Sequence, residues 1–246
     1  MAAKKKQTVL STLIGIVVVL TFLWSRYQEA SDGQGLGLSQ LVEAEVLGDT
    51  LSASPSAPQG GPTLRQVQLL STHYQVWDDC VMVDHRGNDG DSFHIQAPHG
   101  REEVRIYYVD APESAARSYR DGNTNHLRIA QQGAAMGGLD QAETTRVGLK
   151  AKAFVKQLLD GKRFQIVTSG ERVYSSHRKY AFVIVDWNGQ LHYLHELLVM
   201  QGLGRIHTKP AHLPDNTTAS EQKKHLKNLE AYAKNMRYGA WSLSAK

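Results

Sequence analysis

The spacing of apolar and polar positions changes character twice along the chain, dividing it into three stretches. From 8 to 24 nearly every position is apolar: Leu10, Leu13, Ile14, Ile16, Val17, Val18, Val19, Leu20, Phe22 and Leu23, with only scattered Ser and Thr and no polar face. A helix of about 17 residues at about 1.5 Å each is about 25 Å long, slightly short of a hydrocarbon core of about 30 Å. Trp24, Arg26 and Tyr27 suit the interface beyond it. This predicts an N-terminal transmembrane helix. A cleavable signal peptide competes, but the run exceeds the usual signal core and no small-x-small site follows. From 29 to 63 the pattern is lost in Ser, Gly, Ala, Gln and Pro, which reads as a flexible linker.

From 64 onward period-two and helical patterns alternate. Segments rich in β-branched and aromatic residues predict strands at 67–71, 74–83, 92–96, 103–110, 163–168 and 180–186. Asp186-Trp187-Asn188-Gly189 predicts a hairpin turn into a short strand at 190–191. Helices are expected at 140–159, 193–201 and 220–237. The first has Asp140 as N-cap, Glu143 three residues on, and a stripe of Val147, Ala151, Phe154 or Val155, and Leu158. The third opens on a capping box from Thr218 to Glu221. Between 113 and 140 the chain is polar and Gly-rich, and reads as a long loop. Strands, a helix, more strands and terminal helices make an α+β domain: a small five-stranded β-barrel of OB-fold type with about three packed helices. The expected organisation is an anchor over 1–28, a linker over 29–63 and one domain over 64–246.

The 246 residues carry a formal charge of +4, part of it from Lys4, Lys5 and Lys6. That mild excess suits a polyanionic partner without demanding one. The lysines hold the N-terminus in the cytoplasm and put the domain on the other side of the membrane, or in the medium if the segment is cleaved. Cys80 is the single cysteine, which excludes an intrachain disulfide and a Cys-based zinc site.

The chemistry concentrates between 89 and 113: Asp89-Gly90-Asp91-Ser92, then Arg105 through Asp110-Ala111-Pro112-Glu113. Asp91 opens one predicted strand after what reads as a Gly turn. Asp110 closes the next, which Pro112 stops. Carboxylates at strand ends suit a hard cation, which takes oxygen ligands. A spare carboxylate can act as a general base, and an arginine grips phosphoryl oxygens bidentately. Each piece alone is more often a solvated turn or strand end; the combination outweighs that reading. Strict alternation puts Arg105 and Asp110 on opposite faces, so Asp110 must lie past the regular strand or follow a bulge. Two other motifs fail. His195-Glu196 begins a zincin motif, but Val199 stands where the second His belongs. The stretch from Asp121 begins like an EF-hand, but has His126 at position six and Gln132 at position twelve. His192 and His195 read as helix-surface histidines.

These residues resemble the staphylococcal nuclease (thermonuclease) family, whose signature runs D-G-D-T, a strand, then R-x-x-x-V-D-x-P-E. The likeness continues through Arg178 ahead of Ala181-Phe182-Val183, through Glu196 to Leu203, and through Glu221, Leu226, Glu230 and Gly239-Ala240-Trp241. It spans roughly 74–241, in order. It implies the OB fold and a Ca²⁺-dependent endonuclease acting on DNA or RNA as a monomer. Asp91, Asp110 and the Ala111 carbonyl would be metal ligands, Glu113 the general base, and Arg105 and Arg178 the phosphate-binding arginines. The cut would leave a 3′-phosphate and a 5′-hydroxyl. Two segments depart from the family: Ser175-Ser176-His177 before Arg178, and His207-Thr208-Lys209-Pro210, which lacks the tyrosines used beside the nucleotide. His177, His207 and Lys209 are candidates to replace those contacts. The rival expectations are an inactive OB-fold module binding nucleic acid or protein, and a structural envelope protein. The presence of all five candidate side chains favours the enzyme.

Overall fold

The computed structural model describes residues 62–244, and there the alternating segments form a closed barrel. β1 (Gln75–Met82) pairs antiparallel with β2 (Ser92–Ala97) and β5 (Phe164–Thr168). β2 pairs antiparallel with β3 (Gly100–Ile106), and β5 with β6 (Lys179–Trp187). A short parallel pairing of β3 with β6, from Val104 opposite Lys179 to Ile106 opposite Ala181, closes the five strands into a ring. Inward positions such as Phe93, Ile95, Val104, Ile106, Ile166, Phe182 and Ile184 fill it and are almost fully buried. The expected hairpin is present: Asn188 and Gly189 take left-handed conformations at φ 57° and 78° and lead into β7 (Gln190–Tyr193) on β6.

The expected 103–110 strand is broken. β3 ends at Ile106, Tyr108 takes φ 68°, and the chain resumes as the two-residue β4 (Val109–Asp110), paired with β8 (Arg205–Ile206). Tyr108 is anchored on both sides. Its N–H donates to the Lys209 carbonyl, and its own carbonyl accepts from His207 N–H at 2.8 Å. This kink disposes of the alternation problem and lets Asp110 turn back onto Arg105.

Of the expected helices, α2 (Gln141–Leu159) and α4 (Ala219–Met236) start from the two anticipated capping boxes, Asp140/Glu143 and Thr218/Glu221. In α2 the buried stripe runs through Val147, Gly148, Ala151, Val155 and Leu158. α3 (Leu194–Met200) is buried along its whole length. His195 is therefore no surface residue: it is fully buried, with its ring stacked on Tyr108 at 5.4 Å. A 3₁₀ turn, Gly239–Ser242, closes the domain.

Two further expectations are corrected. Residues 67–71 form no strand; Leu70 is 64% exposed, and the N–H groups of Leu70 and Ser71 both donate to the Pro214 carbonyl. One shared acceptor holds them as a strap instead of a ladder. The stretch between 113 and 140 is not all loop, because His126–Ala135 forms a helix, α1. The 8–24 run and nearly all of the linker lie outside the described residues. Among the described residues no helix is long and apolar enough to cross a membrane.

Candidate functional site

Register places the site. Ser92 lies opposite Arg105 across β2 and β3, so Asp91 arrives beside Arg105. Arg105 also neighbours Tyr180 across the parallel pairing, which brings Arg178, just ahead of β6, to the same end of the barrel. The kink at Tyr108 delivers Asp110 there as well. The chain bends at Gly90 and Asp91 as expected, but Gly90 does not take a positive φ, so the glycine is needed there for space. A Cβ there would sit 2.8 Å from the Cβ atoms of both Ala111 and Ala151, so Gly allows the Asp89–Asp91 segment to lie against β4 and α2. Gly148 serves α2 in the same way, since a Cβ would meet the Pro112 and Glu113 carbonyl oxygens at 2.5 and 2.4 Å.

Asp91 and Asp110 are both buried, and one guanidinium joins them. Arg105 donates to Asp91 Oδ1 at 2.9 Å and to Asp110 Oδ1 at 2.7 Å. Asp91 Oδ2 accepts the Ala111 N–H at 2.7 Å. Asp110 takes three more donors: Arg128 on Oδ1 at 2.6 Å, Arg205 on Oδ2 at 2.8 Å and Gln132 Nε2 on Oδ2 at 3.0 Å. Burial alone would raise Asp110, but Arg128, the Gln132 amide, Arg105 and Arg205 together hold it below its ordinary value. Asp91 goes the other way: its burial outweighs the pull of Arg105. Asp89, half-buried beside them, is pushed up to about 7, first by burial and then by the charge of Asp91.

Glu113 stands at the mouth of this cluster, its side chain 22% exposed. Its Oε1 receives Arg128 Nε at 2.7 Å and its Oε2 receives Asn125 Nδ2 at 3.2 Å. Arg178 and Arg105 both point an Nη at the Ser92 hydroxyl, at 3.5 and 3.3 Å. All of these open into one cleft of about 950 Å³, walled further by Arg117, Arg172, His207 and Lys209. Acidic and basic side chains balance along its lining. His177 is not among the lining residues, whereas His207 and Lys209 are. Tyr119 and Tyr174 stand at the rim, 50% and 90% exposed.

The structure thus brings Asp91, Arg105, Asp110, Ala111, Glu113 and Arg178 to one cleft. It adds residues that sequence reasoning missed, chiefly on α1. Arg128 and Gln132 lie four apart on that helix and face the site together. Gln132, fully buried, donates to Asp110 and to the Ala111 carbonyl at 3.0 Å, and accepts the Glu113 N–H at 3.0 Å. Arg205 ties the helix down through the Gln131 carbonyl. The helix gave little signal because Arg128 stands where a capping box needs Glu or Gln, and Asn125 at its N-cap makes no capping bond. The Asn125 side chain goes instead to Glu113, to the Ala115 carbonyl and to the Arg117 N–H.

The donor set suits a hard cation. Asp91 and Asp110 offer carboxylate oxygens held on one guanidinium, and the Ala111 carbonyl, with a second lone pair beyond the one Gln132 uses, follows directly on Asp110 in the chain. Among the described residues no cluster of three or more His, Cys, Asp or Glu side chains is arranged to hold a metal. The protein's share would be two carboxylates and a carbonyl, leaving other positions to water and phosphate oxygens, as such ions tolerate.

A family described as Staphylococcal nuclease homologue matches residues 103–243, more than half of the chain. The chain belongs to the staphylococcal nuclease family. No curated protein matches it closely enough to count as a relative. The matched span holds Arg105, Asp110, Glu113 and Arg178 but begins after Asp91. In this staphylococcal nuclease domain Asp91 is tied to the site by geometry, through Arg105 and the Ala111 N–H. Membership in the family makes the domain a nuclease-like or nucleic-acid-binding module; what this cleft does is the next question.

Proposed function

We propose that this protein is a Ca²⁺-dependent nuclease that hydrolyses phosphodiester bonds of DNA or RNA, leaving 3′-phosphate ends. The observation that carries the reading is the single cleft in which a partly exposed carboxylate, Glu113, stands beside two buried carboxylates and at least two arginines aimed into the opening. Asp91, Asp110 and the Ala111 carbonyl would hold the cation, which when bound would polarise a phosphate oxygen. Arg105 and Arg178, converging on Ser92, would take the non-bridging oxygens as charge builds; one such donor is worth on the order of 3–4 kcal/mol. Glu113 would accept a proton from the attacking water, a contribution of about 10²–10⁴-fold. The 5′-oxygen would leave, taking up a proton, and the phosphate would stay on the 3′ side. The balanced lining supports a role for a cation, since its charge would tip the cleft positive before a polyanion enters. Tyr119 and Tyr174 offer faces on which bases could stack at the rim.

The competing reading, a binding module without catalysis, draws on the saturation of Asp110 by four donors. The two separate on one experiment: incubation of the full chain with DNA and with RNA, in Ca²⁺ and in chelator. Cleavage in Ca²⁺ alone supports the enzyme, while binding without cleavage under both conditions supports the module.

We further propose that the 8–24 segment is an uncleaved anchor holding the domain outside the cytoplasm. Retention in membranes through high-salt and carbonate washing, with digestion by protease added from the outer side, supports it. A mature protein free in the medium and beginning near Ala30 would point to a cleaved signal peptide.

A further inference from the structure

We propose that Arg128 is a third phosphate-binding arginine, parked on Glu113 and Asp110 in the substrate-free protein and transferred to the incoming phosphodiester. The inference rests on the nuclease reading and deepens it. Three arginines converge on Asp110, but they are not equivalent. Arg105 is also fixed by Asp91 and Ser92, and Arg205 by the Gln131 carbonyl; their side chains are 12% and 11% exposed. Arg128 reaches in from the cleft side of α1 and is 43% exposed. Its contacts use Nε, on Glu113, and one Nη, on Asp110, of a guanidinium that carries five N–H groups.

Neither partner depends on Arg128. Without it, Asp110 keeps Arg105, Arg205 and Gln132, enough to satisfy a buried carboxylate. Glu113 keeps Asn125 and some solvent. Arg128 can therefore leave without stranding a buried charge, which Arg105 cannot. Its departure would have two effects. Glu113 Oε1, occupied at 2.7 Å in the resting arrangement, would become free to accept a proton from water. Asp110 Oδ1, which Arg128 shares with Arg105, would lose one of its two guanidinium donors and gain room for a cation. The phosphodiester would be the natural new partner, because a guanidinium fork matches phosphate as well as carboxylate. The base would thus be freed only when a phosphate has arrived.

The test uses full-length Arg128→Ala, with Arg128→Gln serving the same purpose should the alanine variant not fold. Without substrate, calorimetry should give Ca²⁺ binding about tenfold tighter than wild type, since a competing charge-assisted bond on Asp110 is gone. In chelator, where cleavage stops, anisotropy of a labelled oligonucleotide should show binding about tenfold weaker. With Ca²⁺, kcat/KM should fall about 10²-fold and recover in part with added guanidinium ion. Unchanged or weaker Ca²⁺ binding by the variant would overturn the parking, and wild-type kcat/KM would overturn the transfer. A wild-type protein that cleaves nothing in Ca²⁺ would instead overturn the nuclease reading on which the proposal stands.

Discussion

Replacing Gln132 by Leu keeps the volume and removes every polar contact of one fully buried side chain. Three hydrogen bonds go: to Asp110 Oδ2, to the Ala111 carbonyl and from the Glu113 N–H, all at 3.0 Å. Asp110 keeps its three arginines, so no charge is stranded. The Ala111 carbonyl and the Glu113 N–H lose their partner, and an unsatisfied buried group costs roughly 1–3 kcal/mol. The sum is about 2–6 kcal/mol, which for a domain of this size corresponds to a fall in Tm of about 4–24 °C. Calorimetric or circular-dichroism melting would measure it, with Gln131→Ala on the exposed side of α1 as control, expected within about 0.5 kcal/mol of wild type. Cleavage should suffer beyond the stability loss, because a shift of about 1 Å in the 110–113 segment can cost 10²-fold. A Gln132→Leu protein that melts and cleaves like wild type would refute the idea that this amide clamps the site.

Glu113→Gln should lower kcat by about 10²–10⁴-fold while leaving oligonucleotide affinity nearly unchanged; equal activity would sink the assignment of the base. Asp91→Ala and Asp110→Ala should each weaken Ca²⁺ binding and abolish Ca²⁺-dependent cleavage, and unchanged calorimetric affinity in both would rule out this cation site. Stability should depend on pH through His195, whose burial lowers its pKa to about 4. Gln222 Nε2 donates to His195 Nε2, so the folded ring is neutral with its proton on Nδ1. Between pH 6.5 and about 4 the unfolded chain binds a proton that the folded chain refuses. Stability should fall over that interval by about 3 kcal/mol in all. A flat profile in urea melts from pH 7 to 4 would contradict the buried neutral ring.

What the sequence disclosed depended on how local its cause was. The capping boxes at Asp140 and Thr218 and the Asn188-Gly189 turn are set by neighbouring residues, and they form as expected. The break at Tyr108 is not local. A tyrosine at positive φ is held there by contacts with His207 and Lys209, a hundred residues downstream. The strand pattern therefore ran on through it. The 67–71 pattern misled because β-branched and apolar residues also suit a strap pinned at Pro214. Helix α1 has no capping box, because Arg128 stands three residues after Asn125 where a Glu or Gln would signal one, and the Asn125 side chain serves Glu113 and not the helix. Asp91, Arg105, Asp110 and Glu113 were legible because their motif is compact, and Arg178 because it stands just ahead of the Ala181-Phe182-Val183 strand. Arg128, Gln132 and Arg205 were not, because only the packing of α1 and β8 against the barrel end brings them in.

The central claim is that this cleft hydrolyses phosphodiester bonds with Glu113 as the base. The most direct test is end-group analysis of labelled DNA and RNA incubated with the full chain in Ca²⁺, in chelator, and with the Glu113→Gln variant. The account predicts new 3′-phosphate and 5′-hydroxyl ends with wild type in Ca²⁺, and intact strands in chelator and, at matched times, with the variant. Intact strands in all three, or ends that appear equally with the variant, would contradict it.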